Sequence, residues 1–208
     1  MNPNTTALLI VDLQNDFIHP KGAYARGGAV SAAAAALPAK VAPVMQALRA
    51  AGGCVVSSHF TLWPGPGNQP LISPHLLKLR PFLRQGDFVR NGWGHAMVDE
   101  LAVDGKGADF SVDKVAYSAF YMTQLEWVLR KRGIDTLMVC GIVTNGGVAS
   151  SARDAHVRDF HVMVLEDGCA AFKQETHDTS IRDLSNIGDV LSCADAIKQI
   201  QATGSHSA

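Results

Sequence analysis

Four groups of polar or glycine residues stand directly after short apolar runs of the sequence. They are the cluster Asp12, Gln14, Asn15 and Asp16 in IVDLQNDF, then His59, then Lys114 beyond Val112, and finally the run from Gly141 to Gly147. If the apolar runs are parallel strands, all four groups lie beyond the carboxyl ends of one sheet, where open α/β sheets bind their ligands. We therefore expect these residues to meet in one crevice.

Two of these groups can transfer protons, and one can bind an anion. Burial at a strand end raises the pKa of a carboxyl group such as Asp12, whereas a neighbouring ammonium such as Lys114 lowers it, so acid and base roles both stay open. A helix that begins near Gly146 has unpaired N–H groups and partial positive charge at its start, which stabilise an anion or developing oxyanion. Glycine at Gly146 and Gly147 also lets a substrate approach the backbone closely.

The elements that must position these groups follow from an alternation of apolar runs and helical stretches. This alternation is typical of βαβ units and predicts an α/β protein of three layers, α/β/α, with a central parallel sheet covered on both faces. The clearest strands are Ala7–Val11, Cys54–His59, Thr136–Cys140 and Val162–Glu166, with a further one around Val190.

Helices are predicted between the strands, where apolar residues recur at helical spacing. The predicted spans are Val30–Ala51, Thr123–Arg132, Gly146 to about Arg158, and more weakly Glu175–Asn186 and Ala194–Gln201. Pro38 is expected to kink or divide the first of them, and Gly133 is expected to close the second.

The middle of the chain, from about Thr61 to Gly107, is harder to assign. Its WPGPGNQP segment is rich in proline and glycine and predicts a loop, and such loops in open α/β sheets commonly carry the site. No linker or internal repeat is visible. We interpret the 208 residues as one domain with a disordered tail from about 203 to 208.

Composition and charge argue against several classes of partner. Lys and Arg total 18 against 19 Asp and Glu, so the net charge of −1 leaves no basic excess for a nucleic-acid backbone. The sequence has no apolar run of about 18 residues and no signal-peptide pattern at its start, so we expect no membrane partner and a cytoplasmic location. The four cysteines form no CxxC pair and are expected to be reduced.

Familiar cofactor and metal motifs are absent from the sequence. No GxGxxG follows the first strand, and GxxxxGK(S/T), GxSxG and HExxH do not occur. The eight histidines are scattered, with no pair at ligand spacing beside a carboxylate. We therefore predict no cofactor and no metal.

Three longer motifs occur in the order IVDLQNDF, DKVAYSAF and VCGIVTNGGVASSARDA. Together they resemble the isochorismatase-like hydrolase family, also called cysteine hydrolases, over about residues 7 to 172. The resemblance implies a parallel sheet flanked by helices, a small-molecule substrate and a homo-oligomer in which loops of a neighbour complete the pocket. Amidase members of this family act on small amides and ureides through an Asp, a Lys and a Cys nucleophile.

Carried over by position, the resemblance assigns the catalytic aspartate to Asp12, the lysine to Lys114 and the nucleophile position to Gly147. Cysteine-containing members read roughly T-N-x-C-V where this sequence reads TNGGV. The isochorismatase branch hydrolyses a vinyl ether without requiring the cysteine, and its aspartate is thought to protonate the substrate before water attacks. The resemblance also implies a cis peptide between Val143 and Thr144 and an oxyanion hole from backbone N–H groups near Thr144 and Gly147.

Residues around this centre are expected to bind the substrate. They are Phe17, His59, Trp93, Tyr117, Val143, Thr144, Asn145 and Gly146. A packed, hydrogen-bonded histidine is the alternative for His59, and a place in the core or at an interface is the alternative for the aromatic side chains. Asn15 and Asp16 are interpreted as turn and capping residues.

Three functions remain open from the sequence. The leading hypothesis is hydrolysis of a small metabolite, with a vinyl ether or an amide-type C–N bond, by water that Asp12 and Lys114 activate. The second is a catalytically inactive relative that binds a small ligand or partner in the same crevice. The third is a phosphorelay receiver, but receivers need only about 120 residues and a further aspartate after a central strand.

Overall fold

Six parallel strands form one sheet in the computed structural model, which describes residues 1–103 and 107–204. The strands are β1 Thr6–Val11, β2 Cys54–Phe60, β3 Phe110–Lys114, β4 Thr136–Ile142, β5 His161–Ala170 and β6 Asp189–Leu191. Their order across the sheet is β3-β2-β1-β4-β5-β6. The direction of strand addition therefore reverses between β1 and β4, and the crevice of a doubly wound sheet opens at such a reversal.

The central strands are apolar because helices cover both faces of the sheet. Every residue of β1 is buried, and Leu8, Leu9 and Ile10 have no exposed surface. Parallel strands covered on both sides read as continuous apolar runs rather than alternating ones. This explains why β1 and β4 could be recognised in the sequence.

Nine α-helices accompany the strands in the described part of the chain. They are α1 Asn15–Ile18, α2 Ala23–Arg26, α3 Ala32–Ala35, α4 Leu37–Ala50, α5 Pro74–Leu79, α6 Leu125–Lys131, α7 Ala149–His156, α8 Gln174–Leu184 and α9 Cys193–Gly204. Helices α4 and α9 pack together against β5, while α7 and α8 pack against each other and the sheet. The predicted three-layer α/β/α fold is confirmed.

Several predicted boundaries differ from the structure. The long helix predicted over Val30–Ala51 is divided next to Pro38, which lies in the first turn of α4, where a missing N–H costs nothing. Strand β3 was not among the predicted strands because its sequence, FSVDK, is short and half polar. Helix α9 continues to Gly204, and residues 205–208 of the predicted tail lie outside the described residues.

A second apolar cluster lies apart from the sheet core. It joins the segment from Thr61 to Val103, which we call the cap, to the chain that follows β1. Its buried members are Ala23, Tyr24, Leu62, Leu83 and Phe88. No helix within the described residues is long and apolar enough to cross a membrane.

Candidate active site

Asp12 lies directly after β1 with its side chain held in place on both oxygens. Its Oδ1 accepts a hydrogen bond of 3.0 Å from Ser58 Oγ on β2, and its Oδ2 lies 2.7 Å from Lys114 Nζ. Its backbone has a φ of 55°, a left-handed conformation that aspartate tolerates better than most residues. The turn is closed by the Asp12 N–H, which donates to the Ser58 carbonyl at 3.1 Å.

Lys114 is the last residue of β3 and is almost fully buried, with an exposed fraction of 2%. Besides Asp12 Oδ2, its ammonium donates to the Ala116 carbonyl at 2.9 Å. A lysine is buried to this degree only when it is paired, because an isolated charge in the interior is strongly destabilising. The pair therefore brings the carboxyl ends of β1 and β3 to one point.

Burial raises the pKa of Asp12 above its ordinary value, while the ammonium of Lys114 and the hydroxyl of Ser58 oppose the rise. A carboxyl group with a raised pKa holds its proton closer to neutral pH and can both donate and recover it. The geometry therefore suits Asp12 for proton transfer with Lys114 as the fixed neighbouring charge.

The turn from Thr144 to Val148 follows β4 and forms the third wall of the site; we call it the glycine turn. Gly141 near its start has a φ of 116°, and a Cβ there would lie 2.1 Å from the carbonyl oxygen of Val11. Only glycine allows β4 to approach β1 so closely. The predicted cis peptide between Val143 and Thr144 is wrong by one residue, since the cis bond joins Ile142 and Val143.

Gly147 faces the Asp12 carboxyl group across the site. A Cβ built on Gly147 would lie 3.3 Å from Asp12 Oδ2, but also 2.9 Å from Val11 Cγ1 and 3.0 Å from the Ile142 carbonyl oxygen. A side chain at this position therefore points at the carboxylate and is tightly enclosed. Asp12, Lys114 and the glycine turn together form what we call the sheet-end centre.

The backbone of the glycine turn is partly committed to its own hydrogen bonds. The N–H groups of Gly146 and Val148 both donate to the Val143 carbonyl, at 2.9 and 3.3 Å. The oxyanion hole that the resemblance implies, from N–H groups near Thr144 and Gly147, stays a prediction.

Thr144 is fully buried, and its hydroxyl makes a 2.8 Å hydrogen bond to Nδ1 of His177 on α8. The sequence analysis did not single out His177, because nothing in the helical pattern of α8 distinguishes this histidine from one at the surface. The contact joins the first residue of the glycine turn to α8. His177 thus helps to hold the turn in place.

A cavity of about 280 Å³ opens onto the sheet-end centre. Six of the predicted site residues line it, namely Asp12, Phe17, Lys114, Tyr117, Val143 and Gly147. The sequence analysis missed further lining residues, among them Tyr24, Phe60, Leu76, Leu79, Arg80, Leu83 and Phe172. Most of these come from the cap and its neighbours, where no regular pattern predicted an element. Because most of these side chains are apolar, the wall that they form is apolar as well.

Five predicted binding residues do not line this cavity. His59 lies on the other side of β2, where its ring contacts Ser57 Oγ at 2.9 Å and the His95 carbonyl at 3.0 Å. Trp93 is 53% exposed, with its ring edge-on to His19. The remaining three are turn residues, since Thr144 is buried against His177, Asn145 is exposed, and Gly146 lies beneath the Tyr117 ring.

The rest of the IVDLQNDF motif fastens the cap. Gln14 Nε2 donates to the carbonyls of Phe60 and His95, at 3.0 and 2.8 Å, and Asn15 Nδ2 donates to the Trp93 carbonyl at 2.9 Å. Asp16 accepts from the N–H of Phe88 at 2.7 Å and from that of Ala23 at 3.0 Å.

Among the described residues, no group of three or more His, Cys, Asp or Glu side chains is arranged to hold a metal ion. The fold and the centre define a doubly wound α/β protein with a buried carboxyl–ammonium pair beside a glycine turn at the point where strand order reverses.

Comparison with known proteins assigns the family. The isochorismatase domain family matches residues 6–196, so the chain belongs to the isochorismatase family of hydrolases. It is 34% identical over 188 residues to the uncharacterized isochorismatase family protein YecD of Escherichia coli O157:H7. This alignment covers 88% of this chain and 89% of that protein. It is 35% identical over 172 residues to the ureidoacrylate amidohydrolase RutB of Azorhizobium caulinodans, covering 78% of this chain and 74% of that enzyme.

A solved structure agrees with this assignment. The cysteine hydrolase from Pseudomonas syringae pv. phaseolicola 1448A superimposes with a TM-score of 0.83 at 29% identity, covering 97% of this chain and 95% of that one.

Proposed function

We propose that the chain hydrolyses a small metabolite at the sheet-end centre with water as the nucleophile, assisted by Asp12 and Lys114. The observation that carries this proposal is the position of Gly147, whose Cβ direction points to within 3.3 Å of Asp12 Oδ2. A thiol at this position would be activated by the same carboxyl group. With glycine there, a water molecule can approach Asp12 from the side that the thiol would occupy.

For an amide-type C–N bond, the chemistry needs one base and one acid. Asp12 as carboxylate takes a proton from water while the oxygen bonds to the carbonyl carbon. The negative charge that develops on the carbonyl oxygen faces the N–H groups of Thr144 and Gly147. Asp12 then gives the proton to the departing nitrogen as the C–N bond breaks, which leaves an acid and an amine and restores the carboxylate.

For a vinyl ether, proton donation by Asp12 comes before the attack by water. Asp12 in its protonated form donates the proton to the terminal vinyl carbon, which leaves positive charge on the carbon that bears the ether oxygen. Water adds to that carbon and returns a proton to Asp12, and the hemiketal separates into a ketone and an alcohol. The raised pKa of Asp12 supports this acid role, whereas the amidohydrolase name of the similar RutB enzyme supports the C–N bond.

A hydrolysis screen tests the proposal. The wild type, Asp12→Asn and the surface control Asp99→Asn are incubated with isochorismate, nicotinamide, N-carbamoyl compounds and small amides, and products are followed by mass spectrometry. Turnover that is lost in Asp12→Asn and kept in Asp99→Asn is the expected result, and the product identifies the bond.

Two substitutions at the nucleophile position separate the proposal from an inactive, ligand-binding relative. Gly147→Cys restores a thiol, and Gly147→Ala adds only the crowded Cβ. A wild type without turnover beside an active Gly147→Cys enzyme would overturn water attack and favour the binding function. If the wild type is active and both variants are slower, the proposal stands.

We also propose that the protein works in the cytoplasm as a homo-oligomer. The location is supported by four free, buried cysteines, which suit a reducing compartment. The oligomer is supported by large exposed aromatic side chains, namely Tyr117 at the cavity, Tyr121, and Trp127 on α6. Light scattering after gel filtration measures the subunit number, and a monomer at micromolar concentration would contradict the second proposal.

A further inference from the structure

Arg80 is a cationic side chain in the cavity that the proposed reaction does not use. It follows α5 in the cap and lines the same cavity as Asp12, Lys114 and Gly147. It is half-buried, whereas Arg84, four residues further along the cap, is exposed and lies outside the cavity.

The guanidinium of Arg80 is held in place by two contacts. Its Nε donates to the hydroxyl oxygen of Tyr24 at 3.1 Å, and its Nη1 donates to the Leu79 carbonyl at 3.1 Å. The Tyr24 ring is itself fixed, stacked on Phe172 with ring centroids 5.4 Å apart. A guanidinium carries five N–H donors, so these contacts leave donors for a ligand.

The charges around the cavity do not cancel. Asp12 and Lys114 form a buried pair at 2.7 Å, which accounts for one negative and one positive charge. Among residues 1–103 and 107–204, no carboxylate lies within salt-bridge distance of Arg80, unlike Arg26, which is paired with Asp87 at 2.7 Å. Burial raises the pKa of the Tyr24 phenol, so its hydroxyl stays neutral and keeps a proton to donate.

We propose that Arg80, with the Tyr24 hydroxyl beside it, binds a carboxylate group of the substrate, so that the substrates are small monocarboxylates. The inference rests on the proposed function, since it takes the cavity as the substrate site. A volume of about 280 Å³ suits a small metabolite, and the apolar side chains that make up most of the cavity lining suit a hydrocarbon body. The substrate then places its carboxylate at Arg80 and the bond to be hydrolysed at Asp12.

The test uses two probes of the same shape that the enzyme cannot hydrolyse, benzoate and the uncharged nitrobenzene. Their dissociation constants are measured by titration in ¹H–¹⁵N NMR spectra of the wild type, Arg80→Gln and Arg84→Gln. We expect benzoate to bind the wild type about tenfold more tightly than nitrobenzene, because a charge-assisted hydrogen bond from arginine to a carboxylate is stronger than one to a neutral nitro group. Arg80→Gln should reduce the ratio to about one, and Arg84→Gln should leave it unchanged.

Each other result overturns the inference. These results are no binding of benzoate to the wild type, equal binding of the two probes, a ratio that survives Arg80→Gln, or benzoate shifts that leave the Gly147 amide signal unmoved. Because neither probe reacts, the outcome is independent of turnover. Arg80-dependent binding without hydrolysis of any compound would refute the proposed function alone, while hydrolysis of uncharged compounds that Arg80→Gln does not slow would refute the carboxylate site alone.

Discussion

The sheet-end centre and the cap face each other across one cavity, but they are built by different means. The sheet-end centre is fixed by strand ends, with Asp12 and Lys114 buried and bonded to each other, to Ser58 and to the backbone. The cap is irregular chain held by a small aromatic cluster and by the amide and carboxylate groups of Gln14, Asn15 and Asp16. Reacting groups need a fixed geometry, which the strand ends provide. The cap, which forms the wall that selects the substrate, can differ in sequence and shape without any change in the sheet.

The largest expected difference between the two regions concerns glycines of positive φ. Gly141→Ala places a Cβ 2.1 Å from the Val11 carbonyl oxygen and should lower the free energy of unfolding by more than about 4 kcal/mol or prevent folding. Gly67 in the cap has a φ of 65°, and a Cβ there would meet nothing within 4 Å. Gly67→Ala should therefore lower the free energy of unfolding by only about 1 kcal/mol. Urea unfolding followed by circular dichroism measures both. Equal losses would show that the strand ends are no more tightly constrained than the cap.

Breaking an ion pair in each region gives the next largest contrast. Lys114→Met leaves the Asp12 carboxyl group buried without its partner and should cost about 3–5 kcal/mol. Arg26→Met breaks the pair with Asp87, where the arginine side chain is 32% exposed, and should cost about 1–2 kcal/mol because water reaches the site. Both variants are compared by urea unfolding at pH 7. A cost for Lys114→Met below that for Arg26→Met would contradict the comparison.

The pH dependence of stability reports the Asp12 pKa directly. A carboxyl group whose pKa is raised in the folded protein stabilises the fold below its unfolded pKa of about 3.9, and that contribution is lost as pH rises through the folded pKa. The stability of the wild type relative to Asp12→Asn, which cannot titrate, should therefore fall with rising pH above about 4, by at most about 1.4 kcal/mol per pH unit. Urea unfolding of both proteins from pH 4 to pH 8 measures it. A relative stability that rises with pH would mean that Lys114 outweighs burial.

The smallest effect is expected where the glycine turn meets α8. Thr144→Val removes the hydroxyl that contacts His177 and should cost about 1 kcal/mol of stability. It should also slow turnover, since Thr144 supplies one of the two N–H groups proposed to bind the oxyanion. Thr136→Val at the partly exposed start of β4 is the control. If turnover is the same in both variants, the contact with His177 does not position the turn.

The strand ends could be predicted from the sequence because continuous apolar runs are typical of buried parallel strands. The polar residues that follow these runs lie at the carboxyl ends of the strands, which share one edge of the sheet. Asp12 and Gly147 were selected in this way and from the family resemblance, whereas Lys114, whose strand was not predicted, depended mainly on the resemblance. His59 was placed by the same rule, but the alternation of side chains along β2 puts Ser58 toward Asp12 and His59 on the opposite face. Register within a strand decides such a choice, and the ends of an apolar run do not define it.

The cap could not be predicted because its residues have no helical or strand period. Arg80, Tyr24 and Phe172 come from three separate segments, and their contacts depend on how irregular chain folds over the sheet. Even the function of Gln14 and Asn15 was only partly visible. A turn role was expected for Asn15 but none was assigned to Gln14, and the bonds of the two side chains reach 46 to 81 residues along the chain.

Under the proposed mechanism, the glycine at position 147 makes hydrolysis independent of any thiol. Enzymes that rely on a thiolate lose activity when peroxide or an alkylating reagent reaches that sulfur. Here the centre contains no sulfur, and burial raises the pKa of the thiols elsewhere, that of Cys54 to about 11 and that of Cys193 to about 12. If water attack is the mechanism, as proposed, hydrolysis by this protein should therefore continue under oxidative stress that inactivates an enzyme with a catalytic thiolate.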